Sequence, residues 1–279
     1  MLTTLAIIIV NDHDLQLSYA QSEQDPIFQE RILNYKSEIL VNKDASLRVA
    51  ETITVKKTGQ EIQPGIYREF SLDSPFRPGN IKLNVLDVLR DGKSVYYSLQ
   101  NRGDTKRINI DNRNDINIDS GIYTYTIEYK TDQRLDFSNP EMDQLLWNVT
   151  GKGWSFPIDQ VRAKVLLPEA IPEDKLTLNA FAGDNRNSYN AKLDAGGNPT
   201  LITTRPLEAQ EDFQIIVKFP KGYVDRPQSW QILYWQFANF LETAIPYTLN
   251  ILMFLLIISA IFILIPLLFW HGRPSNFFD

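Results

Sequence analysis

Cysteine is missing from this 279-residue chain, and histidine occurs only twice, as His13 and His271. Without cysteine the protein forms no disulfide and no thiolate zinc site. Both histidines lie outside the segment that we predict to fold, so a histidine-based triad or a multi-histidine metal centre is excluded there. Phosphate-binding and dinucleotide-binding glycine motifs and the Gly-x-Ser-x-Gly elbow are also missing. We therefore predict no catalytic, cofactor or metal site and no enzymatic activity.

Positive charge is also scarce, because 28 Lys and Arg stand against 34 Asp and Glu, a net charge of -6. This balance argues against nucleic-acid binding, which needs a basic surface. No run of basic residues is long enough to indicate a nucleic-acid or lipid-headgroup site. The 43% of hydrophobic residues nevertheless predicts that most of the chain folds.

A long uncharged run extends from Thr243 to Trp270. At 1.5 Å per residue this length crosses a hydrocarbon core of about 30 Å, so we predict one transmembrane helix over 245–270, followed by a short tail over 271–279. Tyr247 and Trp270 stand where interfacial aromatic anchors belong. The lipid bilayer is thus the first predicted partner. The alternative interpretation is a buried helix of a soluble protein.

The segment 229–243 just before this run has the pattern of an amphipathic helix. One helical face carries its apolar residues at the i, i+3, i+4, i+7 and i+11 positions: Trp230, Leu233, Tyr234, Phe237 and Leu241. Beside a membrane span, such a helix lies along the headgroup layer, with Trp230, Tyr234 and Trp235 as anchors. Packing of the helix under the folded domain is the alternative.

The N-terminal segment 1–27 has the features of a weak export signal. An apolar stretch, MLTTLAIIIV, and a small-residue cleavage site after Ala20 favour export, but no basic residue precedes the stretch. We predict a β domain outside a plasma or inner membrane that it spans once. If the segment is not a signal, the protein is tail-anchored with the β domain in the cytoplasm.

The middle of the chain, 28–222, alternates apolar and polar residues with the period of β-strands. Four runs show this most clearly: Tyr123, Tyr125, Ile127, Tyr129; Val161, Ala163, Val165, Leu167; Phe213, Ile215, Val217, Phe219; and Leu47, Val49, Ile53, Val55, with Glu51 interrupting. Asp91-Gly92 is a strong hairpin signal between two such runs. The fold class predicted is all-β, an antiparallel β-sandwich with a division into two lobes near 132–140 as an alternative to a single body.

Two stretches supply the candidate binding residues. Arg68, within GIYREF, has the planar fork that binds a carboxylate or phosphate, although such an arginine more often pairs across a sheet. The stretch DQLLWNVTGKGWSFPI contains Trp147, Asn148 and Trp154 around a Gly-Lys-Gly turn. These tryptophans are interpreted as sandwich core, with an exposed binding platform as the alternative.

An acidic stretch, DNRNDINID over 111–119, has only part of a calcium-loop pattern. Arg113 and Ile116 occupy positions where an EF-hand loop needs an oxygen ligand and a glycine, and no glutamate closes the loop. We interpret it as a polar hairpin between two strands.

Four stretches occur in an order that resembles a known family: YKSEILVNKDASLRVAETITV, GIYREF, GIYTYTIEYKT and LLWNVTGKGWSFPIDQVRAKVLLP. Over roughly residues 32–273 the chain is similar to the predicted membrane proteins of domain of unknown function 2207. The resemblance implies an exported β-rich domain held at a bacterial-type membrane by a following helix, with no established enzymatic activity. Members usually carry a Gly-Arg-Asp-Pro-like motif where this chain reads HGRPSN, and they continue into further spans, so we interpret the chain as a short or truncated member.

These observations leave three functions to compare. The first is a non-enzymatic envelope protein whose β domain binds a protein or a cell-envelope polymer. The second is an envelope hydrolase that uses a carboxylate pair, and a close acid pair in a cleft would support it. The third is a truncated remnant of a larger multi-span membrane protein.

Overall fold

The computed structural model describes residues 30–58, 65–72, 81–111, 119–132, 134–185 and 187–228, and helical positions 230, 233–234, 237, 240–241 and 251–261. Segment 1–27, with its predicted export signal, lies outside the described residues, as do the tail 271–279 and most of the acidic stretch at 112–118.

Fifteen strands and one 3-10 turn form the described β region. In chain order the elements are β1 (Arg31–Val41), β2 (Leu47–Lys57), β3 (Ile66–Ser71), β4 (Leu83–Arg90), β5 (Lys93–Ser94), β6 (Tyr97–Arg102), β7 (Thr105–Ile110), β8 (Gly121–Thr131), β9 (Leu135–Asp136), β10 (Met142–Asn148), β11 (Val161–Leu166), the 3-10 turn (Glu173–Lys175), β12 (Thr177–Ala182), β13 (Tyr189–Leu193), β14 (Pro199–Thr203) and β15 (Phe213–Pro220). The all-β prediction for this region is confirmed. These strands lie in one compact unit that includes both sides of 132–140.

The strands form three sheets. The largest has eight strands in the order β13-β14-β11-β1-β2-β8-β4-β5, and the others have the orders β12-β15-β10-β9 and β3-β7-β6. Every described ladder is antiparallel except that between β1 and β11, which is parallel. This pair departs from the antiparallel prediction. The two strands are far apart in sequence, so the chain from β2 to β10 makes the long connection that a parallel pair requires.

One hydrophobic core unites the three sheets. The inner face of the eight-stranded sheet carries the alternating residues predicted from the sequence, so that Ile53, Ile127 and Val165 are fully buried. From the four-stranded sheet Trp147 stacks on Tyr129, and from the three-stranded sheet Phe70 meets the same ring edge-on. The two smaller sheets therefore pack side by side on the inner face, and the outer face of the large sheet stays polar.

The Asp91-Gly92 hairpin forms as predicted between β4 and β5. Arg90 pairs with Lys93, and both turn residues have positive φ, 51° at Asp91 and 76° at Gly92, as a two-residue hairpin with the twist of the strands requires.

The hairpin predicted around the acidic stretch is wrong. β7 pairs with β3 and β6, whereas β8 pairs with β2 and β4, so the chain between them connects two sheets. Asp111, at its start, forms an ion pair with Arg90 at 2.6 Å.

The C-terminal region is described only in part. The five residues that form the apolar face of the predicted amphipathic helix all have helical backbone, and their side chains are exposed. Residues 251–261 form an apolar helical stretch. No helix among the described residues is long and apolar enough to span a bilayer. The predicted span 245–270 lies mostly outside those residues, as do Trp235, Tyr247 and Trp270.

Candidate functional site

A charged network lies at the centre of the core. Glu51 points inward from β2 and accepts four hydrogen bonds: from Tyr35 at 2.6 Å, from Tyr129 at 2.7 Å, and from Nε and Nη2 of Arg68 at 2.9 and 3.0 Å. Both charged side chains are essentially inaccessible, with 0% of Glu51 and 2% of Arg68 exposed. The bidentate geometry and the two phenols satisfy the carboxylate, which is the condition under which a buried ion pair is tolerated.

Burial and charge together set the protonation states of this network. Burial, the largest single effect, lowers the pKa of the Arg68 guanidinium, but the Glu51 charge, the two phenols and the hydrogen bonds to Glu51 together outweigh it, so the pKa lies above its ordinary value. Burial raises the pKa of the Tyr35 and Tyr129 phenols well above the usual value. Both phenols therefore remain neutral donors to Glu51 at physiological pH.

The Gly-Lys-Gly turn closes over Arg68. Arg68 donates to the carbonyl of Val149 at 3.0 Å and to that of Glu69. Gly151 has φ +73°, and a Cβ there would approach Nη1 of Arg68 to 2.6 Å. Glycine is thus required at this position both by the left-handed backbone and by the contact with the guanidinium.

The candidate binding residues from the sequence are brought together, but not as an exposed surface. Trp147 and Trp154 are each 3% exposed. Trp154 stacks on Tyr67, meets Tyr35 edge-on and donates from Nε1 to the Thr150 carbonyl at 2.9 Å. Both tryptophans are therefore core, and the binding-platform interpretation is wrong for them.

Arg68 and Asn148 are committed to internal contacts as well. Arg68 does not project to a ligand, because its guanidinium pairs across the core with Glu51. Asn148 is exposed, but its Oδ1 accepts from the Gly151 backbone at 2.8 Å and its Nδ2 donates to Asp212 at 2.7 Å. Both ends of the amide thus hold the turn.

An open cleft lies on the outer face of the eight-stranded sheet, on the side opposite the hydrophobic core. This open cleft of about 660 Å³ crosses β13, β14, β11 and β1. Its charged lining comprises four basic and two acidic side chains: Lys36, Arg162, Lys164, Lys192, Glu38 and Asp194. We call it the cationic cleft. Its surplus of two positive charges is notable in a chain whose net charge is -6.

The strand register explains how these side chains meet. Lys36 lies opposite Arg162, and Glu38 opposite Lys164, in the parallel β1–β11 ladder. Lys164 in turn lies opposite Thr200 of β14, which pairs with Lys192 of β13. Partner residues point to the same face of a sheet, so all these side chains project outward together.

One wall of the cleft is held by Asp194. Its carboxylate pairs with Lys164 at 2.8 Å and accepts from the Gly196 and Asn198 backbone amides at 2.9 Å, which fixes the β13–β14 loop to β11. The Lys164 hydrogen bond, followed by the backbone bonds, holds the pKa of Asp194 well below its usual value. Asp194 is therefore poorly suited to be the general acid of a hydrolase.

Sequence reasoning missed both the network and the cleft. Glu51 carried a signal, since it interrupts an otherwise apolar face of β2. The cleft carried none, because its basic residues are dispersed over positions 36, 162, 164 and 192, and no run of basic residues marks it. As predicted, no run of basic residues occurs along the sequence. The fold nevertheless brings four basic side chains together on the surface.

The sequence of this chain matches the model of a known protein family. The family model described as "Predicted membrane protein (DUF2207) N-terminal domain" matches residues 31–219. This chain belongs to the DUF2207 family. The match covers all fifteen strands except the last residue of β15, and includes the residues that form the network and the cleft. The family resemblance noted from the ordered stretches is confirmed.

A DUF2207 relative is the Uncharacterized protein YciQ of Escherichia coli (strain K12). It is 25% identical over 273 residues, which cover 93% of this chain and 40% of YciQ. The chain therefore spans about two fifths of the length of this relative.

Solved structures resemble the fold only distantly. Native yeast LTA4 hydrolase aligns with a TM-score of 0.42 and 12% identity, over 70% of this chain and 30% of that one. The M1 zinc metallopeptidase from Deinococcus radiodurans aligns with a TM-score of 0.39 and 14% identity, over 67% and 42% of the two chains. At this level neither likeness bears on the function of the DUF2207 protein.

Proposed function

We propose that this DUF2207 protein is a membrane-attached, non-enzymatic binding protein whose β domain holds a polyanionic polymer of the cell envelope in the cationic cleft. The observation that carries the proposal is the charge of the cleft. Lys36, Arg162 and Lys192 are exposed there and form no ion pair with any residue that the structure describes.

The spacing of the basic residues favours a polymer over a small anion. Lys192 and Lys36 lie on strands three places apart in the sheet, a lateral separation of roughly 14 Å at about 4.8 Å per strand. At this backbone separation, two side chains that both project straight out of the sheet favour two separate anionic groups over one shared phosphate or carboxylate. A chain with repeated anionic groups can place one group beside each cation.

The pairing of Lys36 with Arg162 supports an anion at that point. Like charges on directly opposed residues repel each other and destabilise a sheet. An anion between the two side chains converts this repulsion into two attractions. Binding of an anionic group therefore relieves the repulsion between these two side chains.

Membrane attachment is supported by the apolar C-terminal helical residues. Eight large apolar side chains within 251–261 are 48–68% exposed, which in water would be unfavourable: Ile251, Leu252, Met253, Phe254, Leu255, Leu256, Ile257 and Ile261. The exposed face that begins at Trp230 adds a second apolar surface just before it. The occupant we propose for both is lipid, with the β domain on the extracytoplasmic side.

Charge reversal in the cleft is expected to abolish most of the binding. Lys36→Glu or Arg162→Glu should weaken binding of the full chain in detergent micelles to long-chain polyphosphate by about tenfold or more, since each removes a charge-assisted contact. Affinity of the unchanged protein should also fall steeply with added salt. Biolayer interferometry with immobilised polymer measures both effects.

The matched control is Lys130→Glu, which reverses an exposed charge on the same outer face, on β8 outside the cleft. It should leave the affinity within about twofold, because Lys130 does not line the cleft that holds the polymer. Polyglutamate and neutral dextran then define the ligand class. Equal loss in the control, or equal binding of dextran, would contradict the proposal.

The extracytoplasmic orientation predicts the behaviour of reporter fusions. Alkaline phosphatase fused after Phe219 should be active, and a fluorescent protein that matures only in the cytoplasm should stay dark at the same position. Phe219 is the penultimate residue of β15, so the fusion keeps every strand except for one terminal residue. A fluorescent, phosphatase-negative result would establish the tail-anchored, cytoplasmic alternative instead.

A further inference from the structure

A patch of threonines adjoins the cationic cleft on the outer face of the eight-stranded sheet. β2 and β8 follow β1 in the strand order, and their outward positions carry Thr52, Thr54, Thr124 and Thr126. Thr52 lies opposite Thr126, and Thr54 lies opposite Thr124, in the antiparallel β2–β8 ladder. Because directly opposed residues project to the same face of a sheet, the four side chains lie together. We call this patch the threonine strip.

The strand register makes the threonine strip continuous with the cleft. Lys36 and Asn34 line the cleft from β1, and they lie opposite Thr52 and Thr54 in the β1–β2 ladder. Neighbouring strands are about 4.8 Å apart. The row of outward side chains that begins with Arg162 on β11 therefore continues through Lys36 to Thr52 and on to β8. A polymer that follows this row past β1 lies over the threonine strip.

Two hydroxyls of the threonine strip are free to bind a ligand. The hydroxyls of Thr54 and Thr124 are 3.2 Å apart and bond to each other. Thr52 and Thr126 are partly buried, but their hydroxyl oxygens stay accessible to solvent and bond to no residue that the structure describes. A threonine hydroxyl donates one hydrogen bond and accepts others. The two hydroxyls nearest to Lys36 and its row are thus the ones that lack a protein partner.

The threonine strip is uncharged, in contrast to the cleft beside it. The next outward residues are Ala50 and Lys56 on β2 and Ile122 and Glu128 on β8, so its corners carry one charge of each sign. An anionic group over the threonine strip faces hydroxyls instead of a pair of cations. A ligand hydroxyl, which both donates and accepts, is the better complement of a threonine hydroxyl.

We propose that the threonine strip binds the hydroxyl-bearing part of the polymer whose anionic groups occupy the cationic cleft. The ligand is then a hydroxylated polyanion, either a polyol phosphate or an acidic polysaccharide. Thr52 and Thr126 distinguish it from polyanions without hydroxyls. This inference rests on the proposed function and adds the chemical class of the ligand to it.

Exchange of threonine for valine tests the hydroxyls alone. Thr52→Val and Thr126→Val replace a hydroxyl with a methyl group and keep the β-branched shape that suits a strand. Each should weaken binding of the full chain in detergent micelles to poly(glycerol phosphate) by about fivefold, the effect of one lost hydrogen bond. The double variant should weaken it by about tenfold or more. Biolayer interferometry with the immobilised polymer at constant ionic strength measures the affinities.

Long-chain polyphosphate is the reference ligand, because it has charge in every unit and no hydroxyl groups like those of a polyol. Its affinity should stay within about twofold in the valine variants, since its charged groups bind to the cations of the cleft. An unchanged affinity for polyphosphate also shows that each variant is folded with its cleft intact.

The matched control is Thr177→Val, which removes the hydroxyl of an exposed threonine on β12 in the four-stranded sheet. It should leave the affinity for every polymer unchanged. Alginate, whose charged groups are carboxylates on sugar rings, distinguishes the two sources. Sensitivity to the valine variants with poly(glycerol phosphate) alone assigns a polyol phosphate, and with alginate alone an acidic polysaccharide. Either result, or sensitivity with both polymers, supports the proposal.

Failure of this inference can be told apart from failure of the proposed function. If Lys36→Glu leaves binding of all the polyanions unchanged, the cleft does not hold them, and both proposals are overturned. If Lys36→Glu weakens binding but the double valine variant binds poly(glycerol phosphate) and alginate as well as the unchanged protein does, only the role of the threonine strip is overturned. An equal loss of polyphosphate affinity in that variant would also overturn it.

Discussion

Replacement of Glu51 by Gln is expected to lower the free energy of unfolding by about 3–5 kcal/mol, the typical effect of removing one partner from a buried ion pair. The amide leaves the Arg68 guanidinium charged inside the core, where it is 2% exposed. The side-chain NH2 group of the new glutamine also faces hydrogen-bond donors that, in the unchanged protein, bond to a carboxylate oxygen of Glu51. Urea unfolding of the full chain in mild detergent, followed by the fluorescence of Trp147 and Trp154, measures the change.

Glu69→Gln provides the matched control for this experiment. Glu69 also pairs with an arginine, Arg107, but the two side chains are 25% and 18% exposed. Water screens this pair, so its loss should cost about 1 kcal/mol or less. If the two glutamine variants were equally stable, the Glu51 network would not have the central role assigned to it.

The same network predicts a strong coupling between its two charges. Arg68→Met leaves Glu51 buried with only the two phenols as donors, and should destabilise the protein about as much as Glu51→Gln. The double variant contains no unpaired charge, so its cost should be clearly smaller than the summed costs of the single variants. Additive costs would show that the two charges do not stabilise each other.

Gly151→Ala is the second substitution with a large expected effect, a loss of about 2–4 kcal/mol in the free energy of unfolding. Its new Cβ would stand 2.6 Å from Nη1 of Arg68 and 3.2 Å from the carbonyl of Glu69. The methyl group therefore displaces the guanidinium and disturbs bonds to two carbonyls, in addition to the backbone cost of a positive φ. Thermal and urea unfolding should both show the loss.

Gly197→Ala measures the cost of a positive φ at a glycine without the contact that a Cβ at Gly151 makes with Arg68. Gly197 has φ +76°, close to the +73° of Gly151, but a Cβ there meets nothing within 4 Å. Its substitution should cost only the left-handed penalty of about 1–2 kcal/mol. Equal costs at the two glycines would mean that the approach to Arg68 has no energetic consequence.

Some elements of the fold can be predicted from the sequence, and others cannot. The faces of β2, β8, β11 and β15 follow from the alternation of their apolar residues, which is a property of each strand alone. The Asp91-Gly92 hairpin follows from the tolerance of two adjacent residues for positive φ. The hairpin expected near Asp111 failed, because a polar connection between two strands does not state whether they pair with each other or join different sheets.

The candidate sites could not be predicted in the same way, because their residues come from different strands. Glu51 could be recognised as an anomaly on its strand, yet its partner Arg68 comes from another sheet and reaches it only when the layers pack. Arg68 and Trp147 were considered for binding because of their residue types, and packing buried both.

The sequence by itself therefore determined the all-β class of the middle region, the buried faces of its most regular strands, the family and the apolar character of the C-terminal region, since all of these depend on local composition and order. Only the tertiary structure decided the sheet order, the parallel pairing of β1 with β11 and the assembly of the cationic cleft. Lys36 and Arg162 are 126 positions apart in their numbering and become neighbours through that one ladder. Strand pairing over such distances depends on the energy of the whole fold, which no local pattern encodes.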